Sequence, residues 1–408
     1  MKAIIIIKKY ELELLLIIYQ LMFLLVNNFP FKVKDSVVLC YLNDFSTGFG
    51  PRKLIASLAS FLFGDFVSYN EICFMCLIVS VVLIVVFSLF VGYVYRSIET
   101  NKRQTFLYLI LLYMSCSFAV TFLYQWATFG RMEAWHILIL VIYMITSRKI
   151  KSNYRPLLML VACVISMIIH HMFLSTFLSA YLFLTIYELK KKDFDKVLLI
   201  KYFVVFSCVA VSFLFLHFIK WNEMPYNEAL AYLNNKTNAE VSDYFVRWIY
   251  YEPISNHLSQ FVKPYLVFNI CCILLSVLLF LPLYYVLFKG VRRAVLLAQN
   301  SSNGKLLILY VLACLPMLIS YVSASDFGRW TASHFNCFFL FFIYLLSEKN
   351  FIATEMLSSF EKHIKVHKVF YIMLPLYLLL FSKNMCKFPI EFHKLVNIVL
   401  GFLGMPLF

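Results

Sequence analysis

Long apolar runs separated by short polar gaps dominate the chain, and a helix needs about 20 apolar residues to cross a bilayer. On that ruler runs fall near residues 10–29, 72–95, 105–127, 132–147, 197–218, 262–288, 305–324, 331–347 and 368–382. The stretch 156–187 stays apolar for too long to be one span, yet it is flanked by "RKIKSNYR" before and "ELKKKDFDK" after. Positive charge collects on the cytoplasmic side, so both flanks are expected inside and the stretch is expected to be a short helical hairpin with its apex at or near His170-His171. The loops around Lys8, Lys102, Arg148, Lys191, Arg292 and Lys365 then all fall inside. The pattern predicts an all-α polytopic integral membrane protein, one transmembrane domain over 1–408 with about eleven helices, or twelve if 392–407 re-enters.

Two outer segments are sizeable on this topology, 30–69 and 219–262. The second carries Trp221, Glu223, Tyr226, Glu228, Tyr232, Asp243, Arg247 and Trp248, a mixture suited to a partly helical cap at the water interface. It either covers a site or connects two spans. The first run follows Lys8 and Lys9 and ends without a small-residue cleavage site, so it reads as an anchor.

Composition agrees with the pattern. Of 408 residues 62% are hydrophobic and 14% charged, and the mean hydropathy is +0.83, too apolar for a water-covered surface. The net charge of +15 comes without a lysine-rich tail, which excludes a nucleic-acid binder and assigns the excess to loops that set orientation. Nearly all of the eleven cysteines lie in apolar runs. Cys73/Cys76 and Cys271/Cys272 lack the companions a metal site needs, and only Cys40 and Cys386 fall in expected loops. No phosphate-binding glycine loop, dinucleotide fingerprint, GxSxG or HExxH is present, so no cofactor, metal or cytosolic nucleotide is expected.

Against this background the chain writes nearly the same eight letters twice, "FGRMEAWH" over 129–136 and "FGRWTASH" over 327–334, each opening a span from the outer side. A variant, "STGFGPRKLIASL", puts Arg52 and Lys53 in the first outer segment. Arg52, Arg131, Arg329 and the apex pair His170 and His171 thus gather on the face where positive charge is least expected. A single arginine there can snorkel to headgroups, but cations set repeatedly near hydrocarbon point to a ligand. Planar guanidiniums bind phosphate oxygens two at a time, and several together suit a diphosphate. Asp326, three before Arg329, either orients that guanidinium or acts as a base, and Glu133 is a second carboxylate with the same two readings. His170 and His171 read as a base, a phosphate ligand or buried hydrogen-bonded groups, with metal the weakest reading. His136 and His334 read as structural.

Taken together, "NDFSTGFGPRKLIASL", "FGRMEAW", "IIHHMFLSTFL" and "SDFGRW" resemble the O-antigen and exopolysaccharide polymerases, the Wzy and EpsG-like membrane proteins, over most of the chain. The resemblance implies a GT-C-like helical glycosyltransferase of lipopolysaccharide or polysaccharide biosynthesis in the bacterial inner membrane, active on the periplasmic face. It implies transfer of a growing glycan from undecaprenyl diphosphate to another lipid-linked repeat unit, with the lipid-linked oligosaccharide and the bilayer as partners and a chain-length regulator as a further one. Family members often follow the apex histidine with an acidic residue; here His171 stands there, leaving Asp326, Glu133 and a histidine as candidates for the base. Alternatives are a lipid-linked oligosaccharide flippase or transporter, an O-antigen ligase, or another membrane glycosyltransferase.

Overall fold

The apolar runs fold as helices whose ends fall where polar residues interrupt them. A computed structural model describes residues 10–116, 129–218, 223–247, 251, 274, 278, 280–299, 304–323 and 327–380, and over these the protein is an all-α membrane protein without a β-strand. In chain order the helices are α1 (Glu11–Asn28), α2 (Asp35–Leu42), α3 (Leu54–Phe63), α4 (Tyr69–Ser97), α5 (Arg103–Ser115), α6 (Glu133–Ser147), α7 (Arg155–Ile169), α8 (Phe173–Thr176) and α9 (Leu178–Lys191). They continue as α10 (Lys196–Phe218), α11 (Tyr226–Asn235), α12 (Asp243–Val246), α13 (Leu281–Gln299), α14 (Gly304–Leu312), α15 (Leu315–Ser323), α16 (Phe327–Ser347), α17 (Phe351–Val366) and α18 (Lys368–Leu379). Five described helical stretches are long and apolar enough to cross a membrane: Glu11–Asn28, Tyr69–Ser97, Ser152–Ile169, Lys196–Leu216 and Arg329–Ser347.

The longest helix, α4, has 29 residues and so rises about 43 Å. Ser68 and Glu71 cap it reciprocally: the Glu71 carboxylate accepts from the Ser68 N–H at 2.7 Å, and the Glu71 N–H donates to the Ser68 hydroxyl at 3.3 Å. It packs against α1, α6 and α16. The face that α1 turns to it is polar at every seventh position, Glu13, Gln20 and Asn27, all buried. Glu13 pairs with Arg96, and the Gln20 amide donates to Ser88 Oγ at 2.9 Å. A Cβ at Gly92 would collide with the Glu13 carboxylate, so glycine there is what admits that side chain between the helices. Where lipid tails are as apolar as leucine, such polar contacts specify the neighbour and the register.

Four helices carry a motif residue or the apex at one terminus and a basic-loop residue at the other: α6 runs from Glu133 to Arg148, α7 from Arg155 to His170, α9 from the apex to Lys191, and α16 from Arg329 to Glu348. The bundle therefore has a basic-loop end and a motif end. Ion pairs stitch the first: Arg155 with Glu188, Glu348 with both Arg148 (2.9 Å) and Lys191 (2.7 Å), and Glu13 with Arg96. Arg148 also lies over the Tyr93 ring at 4.4 Å and donates to its hydroxyl.

At the motif end the segments 30–69 and 219–262 are tied to each other where both are described. The Val67 N–H donates to the Lys236 carbonyl at 2.8 Å, the Tyr69 N–H to Asn238 Oδ1 at 2.8 Å, and the Met224 N–H to the Thr47 carbonyl at 3.1 Å. Beneath these lies a buried ion pair, Asp44 with Lys236, which Ser60 (2.9 Å) and Tyr232 join. The segment 219–262, as far as it is described, thus packs on segment 30–69 and does more than link two spans.

Several sequence expectations change in detail. The run 305–324 is broken into α14 and α15 ahead of Pro316. A helix, α17, occupies 351–366, where no element was expected. Cys40, expected in a loop, is buried in α2. Residues 117–128, most of 248–279, Asp326, Cys386 and the 392–407 stretch lie outside the described residues.

Candidate functional site

The hairpin apex is a break in the helix. His170 ends α7 with an extended backbone (φ −163°, ψ 119°), and α8 begins three residues later. Neighbours on a helix would diverge by about 100°; here the His170 and His171 rings stack with centroids 5.0 Å apart. His170 Nδ1 accepts from the Met172 N–H at 3.1 Å, which holds the turn.

The repeated motif supplies side-chain donors to backbone carbonyls on either side of the break. His136, the eighth residue of the first copy, lies with Nε2 3.0 Å from the Ser166 carbonyl, just before the apex. His334, the eighth residue of the second copy, lies with Nε2 3.1 Å from the Ser175 carbonyl, just after it. Both histidines are buried. The Arg52 N–H takes a third carbonyl, that of Ile168, at 3.0 Å. The two copies therefore grip the apex from either side, and the first outer segment closes over it.

The same elements carry the arginines. Arg52 Nη2 lies 3.4 Å from His171 Nε2, and the Arg52 backbone sits in the left-handed region at φ 68°. A non-glycine residue there costs about 1–2 kcal/mol. Gly130 is also left-handed, at φ 78°, and a Cβ on it would strike the Cys76 sulfur and come within 3.2 Å of Val37. The Tyr41 hydroxyl donates to the Gly130 carbonyl at 3.1 Å, so α2 clamps the turn that launches Arg131.

Glu133 reaches across the bundle to the other copy of the motif. Its Oε1 accepts from Arg329 Nε at 3.0 Å and again from Nη2, while Oε2 has no hydrogen-bond partner among the described residues. Both side chains are largely covered, with 15% of Arg329 and 20% of Glu133 exposed. Arg329 also lies 5.1 Å from the Trp330 ring. His170 stands within electrostatic range of Arg52 and Arg329, and Cys40 within range of Arg52, Arg131, Glu133 and Arg329. Of the residues singled out in the sequence, the structure brings Arg52, Arg131, Arg329, Glu133, His170 and His171 to one locus, and Asp326 lies outside the described residues.

Beside this locus is a polar network whose members the sequence does not pair. Lys53, next to Arg52, is buried and donates to the Thr47 hydroxyl at 2.7 Å and the Gly48 carbonyl at 3.0 Å. Burial pushes its pKa down to about 8, against the opposing pull of Glu223 and Asp44. Burial by itself would raise the Asp44 carboxyl, yet Lys236, Ser60 and the Ser46 N–H hold it below its ordinary value. Asp44 accepts from Ser46 two residues on, an Asx-turn legible in the sequence; its partner 192 residues away is not.

Chemically, three guanidiniums at the motif end can bind two phosphate groups, two imidazoles can accept or donate a proton, and Glu133 orients Arg329. No group of three His, Cys, Asp or Glu side chains is placed to hold a metal ion among the described residues. A polar cleft of about 400 Å³ lined by Lys151, Ser152, Asn153, Lys192, Asp195 and Leu198 opens at the basic-loop end, away from these residues. No family model, curated protein or solved structure matches the chain.

Proposed function

We propose that the protein is a polysaccharide polymerase of GT-C-like architecture in the bacterial inner membrane, which transfers a growing glycan from undecaprenyl diphosphate to a second lipid-linked repeat unit. The observation that carries this reading is the convergence of Arg52, Arg131 and Arg329, from three distant segments, beside a histidine apex at the end opposite the basic loops. The resemblance of the four sequence motifs to the O-antigen polymerases points the same way.

In the transfer, the bond from the donor sugar's anomeric carbon to the diphosphate oxygen breaks while the acceptor hydroxyl oxygen bonds to that carbon. Negative charge grows on the leaving diphosphate, and guanidiniums fixed in advance stabilise that growth more than the ground state. Glu133 acts by positioning Arg329. The acceptor's proton passes to an apex imidazole, to Asp326 or to the departing diphosphate. Activation is stored in the donor, so no nucleotide or metal takes part.

The test is deletion of the gene and complementation with the intact chain or with Arg329→Ala at equal membrane abundance, with the surface polysaccharide run on a gel. Deletion is expected to leave single repeat units, and Arg329→Ala to reduce polymer about a hundredfold, the order of effect for one charge-stabilising donor. Accumulation of lipid-linked units on the cytoplasmic side would identify a flippase. A normal ladder in the deletion strain would overturn both readings.

A further inference from the structure

A second concentration of positive charge lies on the basic-loop side of the molecule, on elements the glycosyl-transfer reading does not use. α17 packs against α13, α5, the end of α16 and the turn Thr100–Lys102, and α18 follows it directly. α13 and α17 touch at Gly290, where a Cβ would stand 2.9 Å from Phe360 Cζ. That close approach sets the cations of one helix beside those of the other.

Across α13, α17 and α18 there are six lysines and arginines, Lys289, Arg292, Arg293, Lys362, Lys365 and Lys368, and two carboxylates, Glu355 and Glu361. Both carboxylates are engaged: Glu355 faces Arg293 at 3.8 Å, and Glu361 accepts from Lys365 at 2.5 Å. Lys289, Arg292, Lys362 and Lys368 have no carboxylate partner among the described residues.

Two histidines complete the patch. His363 and His367 sit one turn apart on the α17 end with ring centroids 4.5 Å apart. His363 also lies 5.9 Å from the Tyr285 ring, over which the Lys289 ammonium sits at 5.3 Å. The Tyr371 hydroxyl is 2.9 Å from His363 Nδ1; when it donates there, the ring's own proton is on Nε2, a donor for an anion. Exposed apolar side chains border the cations: Phe288, Val291, Val366, Val369 and Ile372.

Cations ringed by apolar side chains at the end of membrane helices match a lipid, whose phosphate meets the ammonium groups while its chains cover the valines. A soluble anion would leave those apolar groups bare. We propose that this face is a binding site for an anionic phospholipid, with the phosphate held by Lys289, His363 and His367 and flanked by Arg292, Lys362 and Lys368. The proposal stands whether or not the protein is a polymerase, since it shares no residue with that site.

The experiment is native mass spectrometry of the full chain in detergent, incubated with phosphatidylglycerol or phosphatidylcholine. The intact protein is expected to retain phosphatidylglycerol preferentially, and Lys289→Gln, Lys362→Gln and Lys368→Gln each to lower retention about fivefold, the effect of one lysine near a charged surface. The control triple Lys149→Gln, Lys151→Gln, Lys192→Gln removes three charges from the same end, against one in each site variant, and is expected to retain lipid as the intact chain does. Equal retention of the two lipids, or an equal loss in the control triple, would overturn the proposal. So would displacement of phosphatidylglycerol by millimolar inorganic phosphate, which would mark a site for a free anion. Each site variant is a single substitution, and any one of the three control substitutions alone serves if the triple fails to fold.

Discussion

The two ends of the bundle use charge in opposite ways. At the basic-loop end the carboxylates of Glu13, Glu188 and Glu348 are each matched to a cation on a different helix and the pairs are spread around the rim, although the turns after α9 and α16 carry left-handed residues of their own, Asp193, Phe194 and Lys349. At the motif end three guanidiniums and two imidazoles converge on one point, and the backbone holding them is left-handed at Arg52 and Gly130 and broken at His170. Dispersed pairs join helices. Convergent cations cost stability, and a fold keeps them where a ligand offsets the expense. Charge count does not separate the two ends; geometry does.

The sharpest way to break this contrast is at the basic-loop end. Arg155→Ala leaves Glu188, which is 2% exposed, as a buried charge without its cation, and is expected to cost about 3–5 kcal/mol. It should appear as a lower melting temperature and lower membrane abundance, with polymer made per folded molecule unchanged. A loss of polymer at full abundance would erase the distinction between the ends. A smaller effect is expected at the motif end from Gly130→Ala, where the left-handed φ and the contact with Cys76 together oppose a Cβ. A stability loss of about 1–2 kcal/mol should come with a disproportionate loss of polymer, because Arg131 follows directly. The smallest effect concerns the junction of the outer segments. Asp44 titrates below its ordinary value of about 3.9, so its contribution is present above that pH and lost as pH falls through the folded value. Lys53, at about 8 when folded and about 10.4 when unfolded, carries a cost of burial while charged that is relieved as pH rises, a slope of the same sign. Between those values the unfolded chain binds more protons, so stability rises with pH. Melting curves from pH 3 to 10 should show both slopes; Asp44→Asn should remove the acid one and Lys53→Met the alkaline one.

Much of this architecture is legible in the chain because burial in lipid is a crude selection. Unbroken apolar length is enough to place α1, α4, α6, α10 and α16 within a few residues of their observed ends, and the basic flanks are enough to fold 156–187 into a hairpin. A ruler for unbroken runs passes over α17, whose apolar positions Ala353, Leu357, Phe360 and Ile364 recur at the helical period between lysines. Asn350 caps it through the Ala353 N–H, a signal that was there to be read. The motif residues could be listed from the sequence, but their partners could not. Nothing local says that Glu133 meets Arg329, 196 residues on, rather than Arg131 beside it. Nor does spacing show that the two motif histidines serve carbonyls on either side of the apex, since those acceptors are backbone atoms and leave no trace in composition.

The reach of Glu133 across 196 residues also sets a timetable. Synthesis proceeds at about 5–20 residues per second, so Arg329 emerges roughly 10–40 s after Glu133. For that interval a carboxylate destined for burial has only Arg131 close at hand, and the apex lacks the hydrogen bond from His334. The grip on the apex is thus among the last things a nascent chain completes. A chain that stalls before residue 327 carries a half-built apex, a mark by which membrane quality control can tell it from a finished one.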